Sequence, residues 1–452
     1  MITDIRELTG EIEDLLEEKD YRKLRNIMND LEPADAAEIL DSVDEDSIPL
    51  LFRILPKEFA AECFVEMDSD HQEMLISAFS DNELVSVIDN LFVDDTVDIL
   101  EEMPANVVKR VLHHADPEKR KILNQILAYP KDSAGAAMTT EFVELKADMT
   151  ADEVFKRIKR TGLDKETIYT CYVTDDRRKL IGVVTVKDFL TAQNEEATVG
   201  ELMETQIISV STTEDEATAA MMLSKYGFLA LPVVDNENRL VGILTYDDAM
   251  EIIESEDTED MEIMAGITPT DKPYLRIGVF ETWWARIPWL LILMFSATFT
   301  SKILQHFEDA LAAETALIAF IPMLMGTGGN AGGQVSVTII RGLSLGEIYM
   351  RDILRVLWKE LRVAVLCGVT LAVMNFGKML LVDDVTVTIA AIVSVTVVIA
   401  VVIAKLVGGI LPILVKRIGL DPAVMASPFI TTIVDALTTL IYFKIAAMII
   451  GL

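Results

Sequence analysis

The sequence predicts a multidomain chain in four parts. They are a cytosolic all-α superhelical N-domain, a tandem pair of α/β modules, an acidic connecting helix and a five-helix α-helical transmembrane domain. Three observations predict it. First, charge is divided along the chain. Residues 1–275 hold 62 acidic and 26 basic side chains, a net −36, whereas residues 276–452 hold 11 and 13, a net +2. Second, DDRRKLIGVVTVKDFL from Asp175 recurs sixty residues later as DNENRLVGILTYDDAM from Asp235. Third, five apolar segments, each near the roughly 20 residues that span hydrocarbon, fill the last third. The total charge of −34 excludes a nucleic-acid binder working through a general basic surface. A hydrophobic content of 51% excludes an acidic disordered chain.

The N-domain, 1–131, reads as one short helix after another. Apolar residues recur at three- and four-residue steps, as in Val97, Leu100 and Met103, between turn-formers such as Pro33, Pro56 and Pro104. LEPADAAEILDSV from Leu31 weakly resembles LFVDDTVDILEEM from Leu91, which suggests a small superhelical stack. A plain scaffold is the alternative for this segment. The start, MITDIRELTGEIEDLLEEKD, has neither a basic n-region nor an apolar core. The expectation is no cleaved signal, with the acidic half in the cytoplasm. Cys63, Cys171 and Cys367 lie far apart and suggest neither a disulfide framework nor a zinc site. His71, His113, His114 and His306 show no metal-ligand spacing, and no enzyme constellation is expected.

Residues 132–199 and 200–258 form the two modules. Each has a helical stretch (Ala151–Thr161, Glu214–Tyr226), an apolar strand (TIYTCYVTD, FLALPVVDN), a polar turn, a second strand and a return to helix. Gly182, Thr185 and Asp188 match Gly242, Thr245 and Asp248 in a shared GxxTxxD. The glycine permits close backbone approach, the threonine offers a hydroxyl and the aspartate can accept a ribose hydroxyl. The tandem resembles a pair of CBS domains, many of which bind nothing.

Residues 250–275 crowd Glu251, Glu254, Glu256, Asp257, Glu259 and Asp260 into one stretch. Such repulsion weakens an isolated helix, so a solvated linker is the alternative. The spans are expected near 284–304, 315–340, 357–381, 385–414 and 423–450 within a transmembrane domain of 276–452. Arg341, Arg351, Arg355, Lys359 and Arg362, with Lys416 and Arg417, mark two cytoplasmic loops. Glu308, Asp309, Glu314, Asp383 and Asp384 then face outward. Five spans place the N-terminus inside and the C-terminus outside, in a cell membrane.

Asp435 lies deep in the last span, where a carboxylate costs roughly 2.5–3.5 kcal/mol to insert and is a functional candidate by default. Ser427, Thr431, Thr438, Thr439 and Tyr442 fall on its helical stripe. Pro428 is expected to remove a helix hydrogen bond and leave the carbonyl of Val424 without its usual partner. Acceptors on one face suit a cation; a structural role for Asp435 is the alternative. In the second span, IPMLMGTGGNAGGQ reads either as irregular backbone lining a polar cavity or as close small-residue packing.

The order of parts, with GTGGNAGGQ and Asp435, resembles the MgtE family of magnesium channels and transporters over essentially the whole chain. The resemblance implies a homodimer with one pore at the two-fold axis, built from the second and fifth spans. Asp435 would hold hydrated Mg²⁺, with Ser427, Thr431 and Asn330 lining the pore. Ser427 and Thr431 depart from the expected Asn and Ala. The resemblance also implies a cytosolic Mg²⁺ sensor: Asp94 and Asp98 in the N-domain, Asp248 and Glu251 after the second GxxTxxD, Glu256, Glu259 and Asp260 on the connecting (plug) helix, and Asp421 before the fifth span. Ala217 and Gly227 stand where acidic residues are expected, implying fewer sensor ions. ATP or another adenine nucleotide would sit at Asp188, with Lys187 in place of an expected Arg. The expected partners are a second copy, Mg²⁺ and the lipid bilayer, and no nucleic acid. The rivals are a carrier for Co²⁺, Mn²⁺ or another divalent ion, and a membrane-anchored nucleotide-sensing regulator.

Overall fold

The structure is a computed structural model and describes residues 5–192, 194, 197–270, 274, 277–307, 315–425 and 427–450. Glu308, Asp309 and Glu314, expected in an outward loop, lie outside the described residues, as does the side chain of Ser427. The chain forms two compact units, Met1–Ile253 and Glu254–Leu452.

In the first unit ten helices run from α1 (Ile5–Glu18) to α10 (Pro117–Ile126). Among them are α3 (Pro33–Ser42), α5 (Lys57–Val65), α6 (Ser69–Ala78), α7 (Asp81–Ile88), α8 (Val93–Glu102) and α9 (Ala105–His114). Contacts join α1 to α3, α3 to α5, α5 to α7 and α7 to α9, so alternate helices stack in rows. Local chemistry sets the boundaries. Pro33 and Pro117 occupy first turns, where no N–H is needed. Ser80 and Glu83 close a capping box at the start of α7.

Each module then forms a three-stranded sheet. β1 (Val143–Leu145) pairs parallel with β2 (Thr170–Thr174), which pairs antiparallel with β3 (Leu180–Thr185). The second sheet repeats this with β4 (Val210–Ser211), β5 (Ala230–Val234) and β6 (Leu240–Thr245). Helices α11 (Ala151–Thr161) and α14 (Glu216–Tyr226) match the expected helical stretches. Between them lie α12 (Val186–Thr191) and the single turn α13 (Val199–Leu202). The repeated glycines have a steric reason. A Cβ on Gly182 would strike Met203, and one on Gly242 would lie 2.7 Å from the Thr139 carbonyl. Phe142, Tyr172, Leu180, Ala230, Leu240 and Ile243 form an apolar core shared by both modules.

The acidic stretch is helical. α15 (Tyr246–Met264) is one uninterrupted helix of 19 residues, so the linker alternative fails. It ends eleven residues short of the expected 275. Gly266 stops it by taking φ of +72°, which costs glycine little.

The second unit carries α16 (Val279–His306), α17 (Ile321–Ser344), α18 (Ile353–Leu381), α19 (Val387–Arg417) and α20 (Ser427–Ile450). By length and composition, four stretches among the described residues can cross a membrane: Val279–His306, Met350–Leu381, Val387–Arg417 and Pro422–Ile450. α17 is long enough at 24 residues, but its Gly, Thr, Asn and Gln dilute the apolar content. α19 is the hub, packing on α17, α18 and α20. At its crossing with α17 a Cβ on Gly408 would overlap the backbone of Gly332, so only glycines allow the two helices this close.

Candidate functional site

One turn of α8 begins the acidic site. Asp94 and Asp98 are one helical turn apart, and Asp94 is 5% exposed. Its Oδ1 is fully enclosed and has no hydrogen-bond partner among the described residues. Burial pushes this carboxyl well above its usual range, reinforced by the charges of Asp248, Asp95, Glu166 and Glu141. Asp98 keeps an exposed residue surface, yet loss of solvent at its carboxyl and the charges of Asp248, Asp95, Glu101 and Glu251 raise it to about 8. Asp248 rises to about 7, first by burial; a hydrogen bond from Thr245 opposes the rise, and Asp247, Asp95 and Glu251 add to it. The structure therefore brings together Asp94, Asp98, Asp248 and Glu251.

It also adds four carboxylates that the sequence reading missed. Glu141 accepts the Val93 N–H at 2.9 Å, which ties the first module to the start of α8. Glu166 rises to about 8, by burial and then the charges of Asp95, Asp247, Asp248 and Glu141; its Oε2 has no partner. Asp95 rises to about 6, first by burial. Asp247 lies beside Asp248. The signal available was adjacency to Asp94 and Asp248 for two of them. Glu141 and Glu166 are distant in sequence and become neighbours only through the fold.

Within the second unit, the C-terminal part of α15 meets the end of α17. Asp257 accepts Arg341 Nη1 at 2.6 Å, and Asp260 Oδ2 accepts Ser344 Oγ at 3.2 Å. Burial and then the charge of Asp421 raise the Asp260 carboxyl. Ile263 and Met264 pack on Ile340 and Ala423. Glu256 and Glu259 lie on the same helix and are exposed. Asp257 and Arg341 were noted in the sequence for charge alone, not as partners.

In the membrane helices, α20 lays Thr431, Val434 and Thr438 against Gly328, Gly329 and Gly332 of α17. Asp435 is half-buried on α20, and its Oδ1 is enclosed without a hydrogen-bond partner. The expected polar stripe divides. Thr438 and Tyr442 are buried, Tyr442 donates to the Leu317 carbonyl at 3.0 Å, and Thr439 donates to the Asp435 carbonyl at 2.7 Å. Thr439 therefore bonds within its own helix, and Tyr442 ties α20 to the segment that precedes α17. Pro428 also differs from expectation. α20 starts at Ser427, so Pro428 falls in a first turn where its missing N–H costs no interior bond. On α17, Asn330, Gln334, Val337, Thr338 and Arg341 form an exposed stripe opposite the glycine face. Lys405 of α19, 6% exposed, is a buried cation that the sequence reading passed over.

At the first module, Asp188 Oδ2 accepts the Thr185 N–H at 2.8 Å and its hydroxyl at 2.6 Å in a capping box. Lys187 beside it is exposed. Ala217 and Gly227 sit in and just after α14 and bring no carboxylate. One expectation is corrected: His71 does have metal-ligand neighbours. Its Nδ1 is 2.7 Å from Asp41 Oδ1, and ligand atoms of Asp41, Asp68 and His71 lie within 4.8 Å of one another. The three come from two helix ends about 30 residues apart, which linear spacing does not show. Asp41 also accepts the Asp68 N–H at 3.0 Å, so the group fastens α3 to the start of α6.

Comparison with known proteins follows the same division. Residues 321–445 match the family model described as a divalent cation transporter, residues 31–132 the MgtE intracellular N domain, and residues 134–195 and 199–255 the CBS domain. The magnesium transporter MgtE of Thermus thermophilus is 35% identical over 445 residues, 98% of both chains. The Bacillus subtilis magnesium transporter MgtE is 30% identical over 96% of this chain and 95% of its own. The solved cytosolic domain of the Mg²⁺ channel MgtE in complex with ATP is 31% identical, with a TM-score of 0.52, covering 54% of this chain and 100% of that one. The chain belongs to the MgtE family of magnesium transporters.

Proposed function

We propose that the chain carries Mg²⁺ across the cell membrane as a homodimer, through a pore lined by α17 and α20, and that cytosolic Mg²⁺ closes it. The observation that carries the conduction reading is Asp435, an enclosed carboxylate beside a helix whose other face exposes Asn330, Gln334 and Thr338. A polar stripe uncovered by its own chain at membrane depth calls for water or a second copy of the chain. Mg²⁺ gives up its water reluctantly. Two Asp435 carboxylates across an axis would supply two charges without stripping the hydration shell, with Ser427, Thr431 and Asn330 as further oxygen ligands to that shell. Five spans, α16 to α20, and a C-terminus outside complete this reading.

The first unit supports closure. Asp94, Asp95, Asp98, Glu141, Glu166, Asp247, Asp248 and Glu251 converge with two buried carboxylate oxygens left without partners. Such a site fits a divalent hard cation, which would be held by Asp94, Asp98, Asp248 and Glu251. In the second unit Asp260 and Asp421 would share another, with Glu256 and Glu259 beside them. A ligand shifts an equilibrium only through its different affinity for the two states. Compact arrangements that bring carboxylates together bind more Mg²⁺ than separated ones, so Mg²⁺ favours the compact, closed form. The sequence division into 1–131, 132–199, 200–258, 250–275 and 276–452 then becomes sensor scaffold, two modules, plug and pore. ATP at Asp188 and Lys187 would stabilise the paired modules; the ATP complex of the related cytosolic domain supports this.

The test joins two measurements on the full-length protein in vesicles. Mg²⁺ should protect the first unit from protease. Neutralising Glu256, Glu259 and Asp260 together should leave Mg²⁺ currents that internal Mg²⁺ no longer silences. Equal protection with and without millimolar Mg²⁺, with triple-variant currents still silenced, would overturn the gating reading. Uptake of Co²⁺ or Mn²⁺ in preference to Mg²⁺ would overturn the selectivity.

A further inference from the structure

Lys119 places a cation beside a helix N-terminus, where one is not ordinarily expected. It lies in the first turn of α10, and its ammonium donates to the carbonyls of Ile88 at 2.6 Å and Leu91 at 2.5 Å. That pins it in the short turn between α7 and α8. α8 begins at Val93, whose N–H is held by Glu141 at 2.9 Å, and its first turn carries Asp94 and Asp95. A helix N-terminus by itself repels a positive charge. Here three carboxylates at that terminus outnumber the ammonium, one of them the buried Asp94 whose Oδ1 has no partner.

We infer that Lys119 is a tethered counter-ion of the Mg²⁺ sensor: it supplies part of the positive charge that Mg²⁺ would otherwise bring and so sets how much Mg²⁺ is needed to fill the site. The inference rests on the sensor reading above. A fixed ammonium beside the site repels an arriving divalent ion and also holds the α8 terminus while the site is empty. Removing its charge leaves one more uncompensated negative charge, so Mg²⁺ should bind more tightly. The direction is distinctive, because losing a merely structural lysine would loosen the site and raise the Mg²⁺ requirement.

The experiment titrates Mg²⁺ against protease protection of the first unit in the full-length protein. Lys119→Gln keeps a donor for the two carbonyls and removes the charge. Its midpoint should fall about three- to tenfold below wild type, the effect of one charge on a divalent ion at side-chain range in a largely aqueous dielectric. Lys119→Arg keeps the charge and should titrate like wild type. A Lys119→Gln midpoint equal to or above wild type overturns the role of Lys119. If Lys119→Gln is unfolded without Mg²⁺, Mg²⁺ should refold it at a lower concentration than protects wild type; failure to refold is again contrary. A wild-type protein whose protection ignores Mg²⁺ sinks the sensor reading itself, which separates the two failures.

Discussion

A lone carboxylate at membrane depth is retained against a cost of roughly 2.5–3.5 kcal/mol, so something must interact with it. For Asp435 nothing among the described residues donates a hydrogen bond to Oδ1. A cation reaching the Asp435 carboxylate is the interaction that would offset that cost. Asp435→Asn keeps the shape and removes the charge. A unit-charge pair at 4 Å and an effective dielectric of 20 is worth about 4 kcal/mol, so the expected loss of Mg²⁺ flux exceeds about a hundredfold. The protein should remain folded, because α20 is held by the apolar and hydroxyl contacts of Val434, Thr438 and Tyr442 rather than by Asp435. Flux assays on purified, folded Asp435→Asn protein check this. Wild-type flux would remove Asp435 from the pore.

Among the elements, α15 is held by its own contacts with α17. The Asp257–Arg341 ion pair, the Asp260–Ser344 hydrogen bond and the Ile263–Met264 contacts all fasten it to the end of α17. The ion pair is half-exposed, 52% and 40% for its two side chains, so it contributes about 0.2–1 kcal/mol. Asp257→Asn should therefore raise the internal Mg²⁺ needed for half-closure by about 1.5- to fivefold and leave open-channel current unchanged. Patch-clamp over a Mg²⁺ series checks both, and a lower closure threshold would show that the pair opposes docking. These elements also show what a sequence displays. The two sheets and α14 were legible because the GxxTxxD repeat carries its own turn and cap chemistry, down to the Thr185–Asp188 capping box. α15 was ambiguous because local repulsion argues against a helix, while its neutralising contact, Arg341, lies 84 residues away. Pro428 was misread for want of one fact, the residue at which α20 starts. Glu141 and Glu166 were invisible because carboxylate crowding is a property of the fold, not of spacing.

The whole molecule carries −34, and its first unit concentrates carboxylates whose proton affinities are raised. The groups that face one another are Asp94, Asp95, Asp98 and Glu101 of α8, Glu141 and Glu166 of the first module, Asp247, Asp248 and Glu251 of α15, and Lys119 of α10. Asp95 is held at about 6, Asp248 at about 7, and Asp98 and Glu166 at about 8. Unfolded carboxylates titrate near 4. Between about pH 4 and 8 the folded unit therefore binds more protons than the unfolded one, and stability falls as pH rises. The stability is full below about pH 4 and is lost progressively up to about pH 8. Mg²⁺ held at these carboxylates, as proposed, would compete with those protons, so its binding should release them and tighten with rising pH. With Mg²⁺ chelated, protease protection of the first unit should be stronger near pH 5.5 than near pH 8. Millimolar Mg²⁺ should flatten that profile by restoring protection at the alkaline end. High monovalent salt should restore less, because screening softens repulsion without bridging carboxylates. Proteolysis and calorimetry on the full-length protein at both pH values check these outcomes. Metal-free protection that does not fall between pH 5.5 and 8 would show that the carboxylates do not oppose the compact form, and Mg²⁺ would then have no repulsion to relieve.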